Sequence, residues 1–259
     1  MINELEDFQG KWPYKPNFFL GNGFKQHYVD EGNKNKKTII CLHGEPTWGY
    51  LYRNMIGPLA ENFRVVVPDH MGFGKSETPQ DRVYTLQTHV ENLERFVADL
   101  DLSATTIVCQ DWGGPIAGAF TARNPRLVKR LFLMNTVLGY GGGQSAGGKT
   151  PWFQWIEKHE EAGTLNGILG ELGSTVLSVM KIIGFQNTAA ADDTWIEAYS
   201  APFPDRESCI GAINFPLDVH YGRFLPFVIE TMESGDIEGM KSKPAMLISG
   251  DKDFGIAPD

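Results

Sequence analysis

The chain is poor in the features that mark secreted, membrane-bound or nucleic-acid-binding proteins. Only three of its 259 residues are cysteine: Cys41, Cys109 and Cys209. They lie far apart, and Cys41 and Cys109 fall in apolar runs that read as buried strands. Free thiols in a reducing compartment are therefore expected, not a bridge. No run of about 18 apolar residues occurs, so no membrane span is expected. The start, Met-Ile-Asn-Glu-Leu-Glu-Asp, is acidic and lacks the apolar stretch of a signal peptide. Positive charge is in deficit. With 23 Lys and Arg against 32 Asp and Glu the net charge is −9, which argues against nucleic acid or an anionic membrane as partner. The remainder is ordinary globular composition, 42% hydrophobic and 21% charged, at a length that supports a sizeable core. A cytoplasmic protein is the default expectation.

Hydrophobic patterning organises the chain. Asn22-Gly23 between Phe18-Phe19-Leu20 and His27-Tyr28-Val29 reads as a hairpin turn. Near-continuous apolar runs at 38–42, 64–68, 105–109, 130–134 and 245–249 read as strands. Helices are expected over 49–62, 84–100 and 115–124; in the second, Leu86, Val90, Leu93, Phe96, Val97 and Leu100 keep helical spacing. Apolar strands interleaved with helices imply an α/β fold with a parallel sheet covered on both faces. Chemistry in such sheets sits beyond the strand C-termini, where Glu45, Asp111, Asn135 and Asp253 fall. After Asn135 the alternation stops. A glycine-rich lead at 139–148 precedes a helical, Trp-rich stretch to about 225. The lead lacks the Lys-Ser/Thr ending of a phosphate loop. The expected organisation is a first part of the core at 1–135, a helical cap at 136–225 and a return to the core at 226–259.

Cys-Gln-Asp-Trp-Gly at 109–113 carries the chemistry. It joins a β-branched strand to a small-residue helix, the pattern of a nucleophile elbow, with Asp111 where the commoner version has Ser. A carboxylate nucleophile forms an alkyl ester and suits attack on an sp³ carbon bearing a leaving group. The bland alternative is a strand–turn–helix with a capping Asp. A second motif, His43-Gly44-Glu45-Pro46-Thr47-Trp48, ends the 38–42 strand. Such a turn aims a backbone N–H at the nucleophile, so the N–H groups of Glu45 and Trp112 form the expected oxyanion pair. His43 sits in the turn and is expected to brace it.

These motifs resemble haloalkane dehalogenases when taken with Tyr50-Leu-Tyr-Arg53, Pro68-Asp69, Gly72-Phe-Gly-Lys-Ser76, Gln110-Asp-Trp-Gly-Gly114 and Ala198-Tyr-Ser-Ala-Pro-Phe-Pro204. The resemblance runs from about residue 17 onward and falls in the branch with Glu after the HG turn. It implies an α/β-hydrolase fold with an inserted cap. It also implies cofactor-free, metal-free cleavage of haloalkanes by water to alcohol, halide and a proton. Asp111 matches the nucleophile and Trp112 the first halide-binding residue. An indole N–H donates and presents no lone pair to the ion. Trp155 fits the cap's halide ligand, with Trp152 close behind; the alternative for Trp155 is packing within the cap. Asp253 matches the acid that orients a catalytic histidine, with Asp251 as competitor. Asn135 stands where another branch of the family places its acid.

The family also needs a histidine beyond the Asp253 region. The six histidines here, at 27, 43, 70, 89, 159 and 220, lie elsewhere. The expectation is a chain that ends before that histidine, the last strand and the C-terminal helix, with hydrolysis of the ester slowed by about 10²–10⁴ for want of a base. Two rival readings remain. One is an epoxide hydrolase with Tyr199 or Tyr140 as proton donor. The other is a non-catalytic ligand-binding relative.

Overall fold

A computed structural model of the chain describes residues 2–139, 150–182 and 187–252. β1 (Asn17–Phe19) and β2 (Gln26–Glu31) form the expected antiparallel hairpin, with Gly23 at a φ of 75° in its turn. β3 (Thr38–Leu42) is buried along its whole length. A 3₁₀ turn at Gly49–Tyr52 leads into α1 (Arg53–Ala60), where the periodicity suggests one longer helix. The turn is pinned at both ends. The Asp69 carboxylate accepts the Gly49 N–H at 2.8 Å, and the Tyr52 hydroxyl donates to the Leu42 carbonyl at 2.7 Å.

β4 (Arg64–Pro68) is followed by α2 (Leu86–Asp99), whose N-cap Thr85 accepts from the Thr88 N–H. β5 (Thr105–Gln110) feeds α3 (Gly113–Arg123). That helix starts two residues before Pro115, which sits in its first turn, where a missing N–H costs nothing. β6 (Val128–Met134) is the last strand before the helical stretch. α4 (Pro151–Glu161) starts on an N-cap Thr150 and a Pro in the first turn. α5 (Leu165–Leu169), α6 (Leu172–Ile182), α7 (Asp193–Ser200), α8 (Ile210–His220), α9 (Leu225–Ser234) and α10 (Ile237–Lys241) follow, and then β7 (Ala245–Ile248).

Among the described residues the sheet has seven strands in the order β1-β2-β4-β3-β5-β6-β7. β1, β2 and β4 pair antiparallel, and all later pairings are parallel. Alternate residues feed opposite faces, as a pleat requires. Ile40, Leu42, Ile107 and Cys109 pack with α2, α3 and residues of α9 and α10. Ile39, Cys41, Val65, Val67 and Val108 pack with Trp48, Ile56 and the N-terminal Phe8 and Trp12. A third cluster is built by α4, α5, α6 and α8 with Phe203 and Cys209 between α7 and α8, and Phe73 joins it from the loop after β4. The three thiols are free and buried, and burial pushes the Cys109 thiol up to about 12. No helix among the described residues is long and apolar enough to cross a membrane.

Candidate active site

The C-terminal ends of β3, β4, β5 and β6 converge on one side of the sheet, and the loops there hold the motif residues. Asp111 leaves β5 with a φ of 49°, a left-handed conformation that is costly for a residue bearing a Cβ. Surrounding contacts hold it there. The Thr136 hydroxyl and the Gly114 N–H both donate to the Asp111 carbonyl, and the Asp111 N–H meets the Asn135 carbonyl at 3.3 Å. The motif's small residues are a steric requirement. A Cβ at Gly44 would lie 2.3 Å from the Asp111 side chain, and one at Gly113 would lie 2.2 Å from the Leu42 carbonyl oxygen.

Above the elbow lies the turn that follows β3. The Glu45 N–H donates to Asp111 Oδ1 at 2.8 Å. Within the turn the Thr47 hydroxyl and N–H both donate to the Gly44 carbonyl, at 2.9 and 3.1 Å. The hydrogen bonds of His43 go to the turn and its neighbour strand. Its Nδ1 meets the Gly44 carbonyl at 2.9 Å, and its Nε2 accepts the His70 N–H at 2.9 Å. His70 Nε2 in turn meets the His43 carbonyl at 3.0 Å. Burial holds both imidazoles below their ordinary range, His70 well below it.

The Glu45 side chain is a feature that sequence reasoning missed, since it used only the backbone. The carboxyl is 4% exposed, and its Oε1 has no partner among the described residues. Burial, and then the neighbouring Asp111, push its pKa well above the carboxylate range. The site therefore sets a buried carboxyl, its pKa raised, beside the nucleophile. The signal in the sequence is an acid placed directly after a fully apolar strand and an HG turn.

Trp112 is the N-cap residue of α3 and is half-buried, with its indole stacked on Phe215 of α8 at 4.6 Å. Trp155 lies on α4, stacked on Trp152 at 5.3 Å and facing His159 at 4.6 Å. Both Trp112 and Trp155 border the third cluster, but Trp152 is its more buried member at 8% exposed. Asn135, at a φ of 44°, ties β6 to β7. Its N–H donates to the Ile248 carbonyl at 2.8 Å, and its Oδ1 accepts the Gly250 N–H at 3.1 Å. Asp253 and Tyr140 lie outside the described residues. Tyr199 joins the cluster around Trp48 and Tyr50, with its ring 4.5 Å from Trp195 and 5.4 Å from Tyr50. Burial pushes its hydroxyl up to about 12.

Among the other histidines, His27 pairs with Asp69 at 2.8 Å, both fully buried. His89 is buried on α2 with both ring nitrogens unpartnered among the described residues. A cleft of about 570 Å³ opens between α5–α7 and the segment carrying Arg206, and none of its lining residues belongs to the elbow. Among the described residues no group of His, Cys, Asp or Glu could hold a metal ion.

Residues 37–166 match the family described as alpha/beta hydrolase fold. A haloalkane dehalogenase of Psychrobacter cryohalolentis is 38% identical over 197 residues, covering 74% of this chain and 59% of the relative. One from Mycobacterium marinum is 33% identical over 236 residues, covering 88% of this chain and 73% of the relative. A cis-3-alkyl-4-alkyloxetan-2-one decarboxylase of Shewanella oneidensis is 32% identical over 211 residues, covering 80% of this chain and 63% of that protein. The chain thus spans between about three fifths and three quarters of the length of these relatives. Among solved structures, the tetrameric haloalkane dehalogenase DpaA of Paraglaciecola agarilytica superposes with a TM-score of 0.71 at 28% identity, over 95% of this chain and 89% of that one. An aspartate elbow under a Glu-bearing HG turn, on a sheet of this order and with relatives at this identity and coverage, is decisive: the chain belongs to the haloalkane dehalogenase family of the α/β-hydrolase superfamily.

Proposed function

We propose that this protein is a hydrolytic dehalogenase that cleaves the carbon–halogen bond of small haloalkanes through an alkyl ester on Asp111. The observation that carries the reading is the 2.8 Å bond from the Glu45 N–H to Asp111 Oδ1 at a strained strand–helix elbow. That bond orients the carboxylate, one oxygen of which attacks an sp³ carbon. As the C–O bond forms, the C–halogen bond breaks and its electron pair leaves with the halide. The Trp112 indole N–H would receive the ion, with Trp155 from the cap as second donor. Water then attacks the ester carbonyl carbon, and the N–H groups of Glu45 and Trp112 meet the oxyanion. The family uses a histidine base for that step, oriented by an acid at the position of Asp253. We further assign 136–225 as a cap over the strand ends and 226–259 as the return to the core. The free buried thiols favour a reducing compartment such as the cytoplasm.

The test is single-turnover reaction with 1-bromobutane in ¹⁸O-water. Release of bromide with either a butyl ester or ¹⁸O in the peptide bearing Asp111, both lost in Asp111→Asn, is the expected result. Bromide release with neither ester nor label on Asp111 would overturn the ester mechanism. A second reading rests on the Shewanella relative. Evolution of CO₂ from a cis-3,4-dialkyl oxetan-2-one, with no halide release from any haloalkane, would favour it. The epoxide reading loses support from Tyr199, which packs with Trp195 and Tyr50.

A further inference from the structure

Trp48 ends the HG turn that carries the Glu45 N–H, and it is fully buried. Tyr50 stacks on its ring at 5.6 Å with 24° between planes, and Trp12 and Phe8 meet it at steep angles at 5.0 and 5.9 Å. The backbone beside it is fixed as well, because the Gly49 N–H donates to Asp69. A ring enclosed on these sides has one orientation, and so has its N–H. Trp48 Nε1 donates to the Ala198 carbonyl of α7 at 2.8 Å. The sequence explains why that carbonyl takes a donor from outside its helix. Its partner in a continuing helix would be the N–H four residues on, but that residue is Pro202, which has none. The Ala201 N–H is taken by the Glu197 carbonyl at 2.8 Å. Ala198 therefore ends α7 with an orphan acceptor, and the indole satisfies it. Tyr199, next in the helix, packs on Tyr50 at 5.4 Å, so α7 meets both rings of the stacked pair.

We propose that Trp48 is a positioning residue that couples the oxyanion turn to α7: its indole N–H supplies the donor that Pro202 lacks, and through this bond the helix holds the turn, and with it the Glu45 N–H, against Asp111. Trp48 touches no reacting atom in this scheme and acts through the Glu45 N–H. Its effect on the reaction rests on the dehalogenase reading given above, whereas the mechanical link between turn and helix does not.

The experiment compares the full chain with Trp48→Phe, which keeps an aromatic ring and removes the donor. Amide hydrogen exchange followed by NMR reads the link directly. The amides of α7 and the Glu45 N–H should both exchange about tenfold faster in Trp48→Phe, the worth of one buried hydrogen bond. Those of Ile107 and Val108 in β5 should keep the protection of the parent. Faster exchange in α7 with an unchanged Glu45 N–H would overturn the coupling, and so would an equal rise in β5, which marks general loosening. Bromide release from 1-bromobutane in a single turnover reads the consequence for the reaction. Its maximal rate should fall by about tenfold while the half-saturating concentration changes by less than about threefold, the mark of a group that serves the reacting carboxylate and not substrate binding. The reverse split, weaker saturation at an unchanged rate, would overturn the assignment to the turn. If Trp48→Phe does not fold by circular dichroism, benzothienylalanine at position 48, with sulfur in place of the indole N–H, carries the same expectations. A parent that releases no bromide while the exchange results hold would overturn the dehalogenase reading and leave the link between Trp48 and α7 standing.

Discussion

The His70 N–H donates to His43 Nε2 at 2.9 Å, while His70 Nε2 meets the His43 backbone carbonyl at 3.0 Å. Each residue thus satisfies a buried polar group of the other, and the ends of β3 and β4 are clasped in both directions. The turn that carries the Glu45 N–H starts at this clasp. The second ring nitrogen of His43 is spent on the same turn, so the His43 imidazole is not poised as a general base.

The clasp sets the first prediction. His70→Leu strips the partner from a buried carbonyl, which costs about 1–3 kcal/mol. His43→Leu strips a partner from the His70 N–H and should cost a similar amount. Because the two side chains share one network, the double variant should lose less than the sum of the singles. Urea unfolding of the four proteins at pH 7 measures this. Strict additivity would show that the two bonds act independently.

A second prediction concerns acid stability. Burial, and then the neighbouring His43, depress His89 from 6.5 to about 3. A histidine with a depressed folded pKa is neutral in the native state but takes up a proton when unfolded. Its contribution to stability is therefore complete above pH 6.5 and is lost as pH falls toward 3. Over that window the slope approaches about 1.4 kcal/mol per pH unit for one proton. His89→Phe should flatten the stability–pH curve between pH 6 and 4 by up to that amount. An identical slope in parent and His89→Phe would refute the assignment.

Asp69 is the third target. Burial alone would raise its carboxyl, but His27, and then His43 and the Lys75 N–H, hold it below the ordinary value. It accepts from His27 Nδ1 and from the N–H groups of Gly49 and Lys75, so it joins β2, the 3₁₀ turn and the loop after β4. Asp69→Asn keeps the shape but removes the charge from a buried pair, a class of change that costs about 3–5 kcal/mol. Chemical denaturation at neutral pH reads it directly. A loss under about 1 kcal/mol would mean that the pair is maintained for geometry and not for stability.

Much of this arrangement was legible in the sequence, for physical reasons. Strands buried on both faces must be apolar throughout, so β3, β4 and β5 stood out as continuous runs. An elbow needs small residues around a strained nucleophile, so Cys109 through Gly113 marked Asp111. The HG turn identified its donor because a backbone N–H depends on the turn and not on a side chain. Three things could not be read. The split of 49–62 into a 3₁₀ turn and α1 comes from Asp69 and Leu42, which are distant in sequence. The raised pKa of Glu45 depends on burial in three dimensions. Phe215 carries no local signal, since a phenylalanine in an inserted helix looks like any other packing residue.

The fourth prediction decides which cap tryptophan meets the halide. Trp112 and Trp155 both border the cluster of α4–α8, and Trp155 is half-buried, which leaves an edge of its indole able to face an ion. Trp152 is the deeper of the stacked pair, at 8% exposed, and its neighbour Ile156 is fully buried. An ion between two indole N–H groups needs both to turn from packing partners toward it, and the half-buried ring loses less by doing so. Bromide should therefore quench the parent, and quenching should weaken by about tenfold or more in both Trp112→Phe and Trp155→Phe, the worth of one hydrogen bond to an anion. Trp152→Phe should quench as the parent does, apart from the fluorescence of the ring removed. If quenching survives Trp155→Phe and falls in Trp152→Phe, the cap donor is Trp152, and α4 presents its buried face to the elbow. If it survives both but falls in Trp112→Phe, the ion is held from the elbow side, where the buried Glu45 carboxyl becomes the next group to replace, by Glu45→Gln.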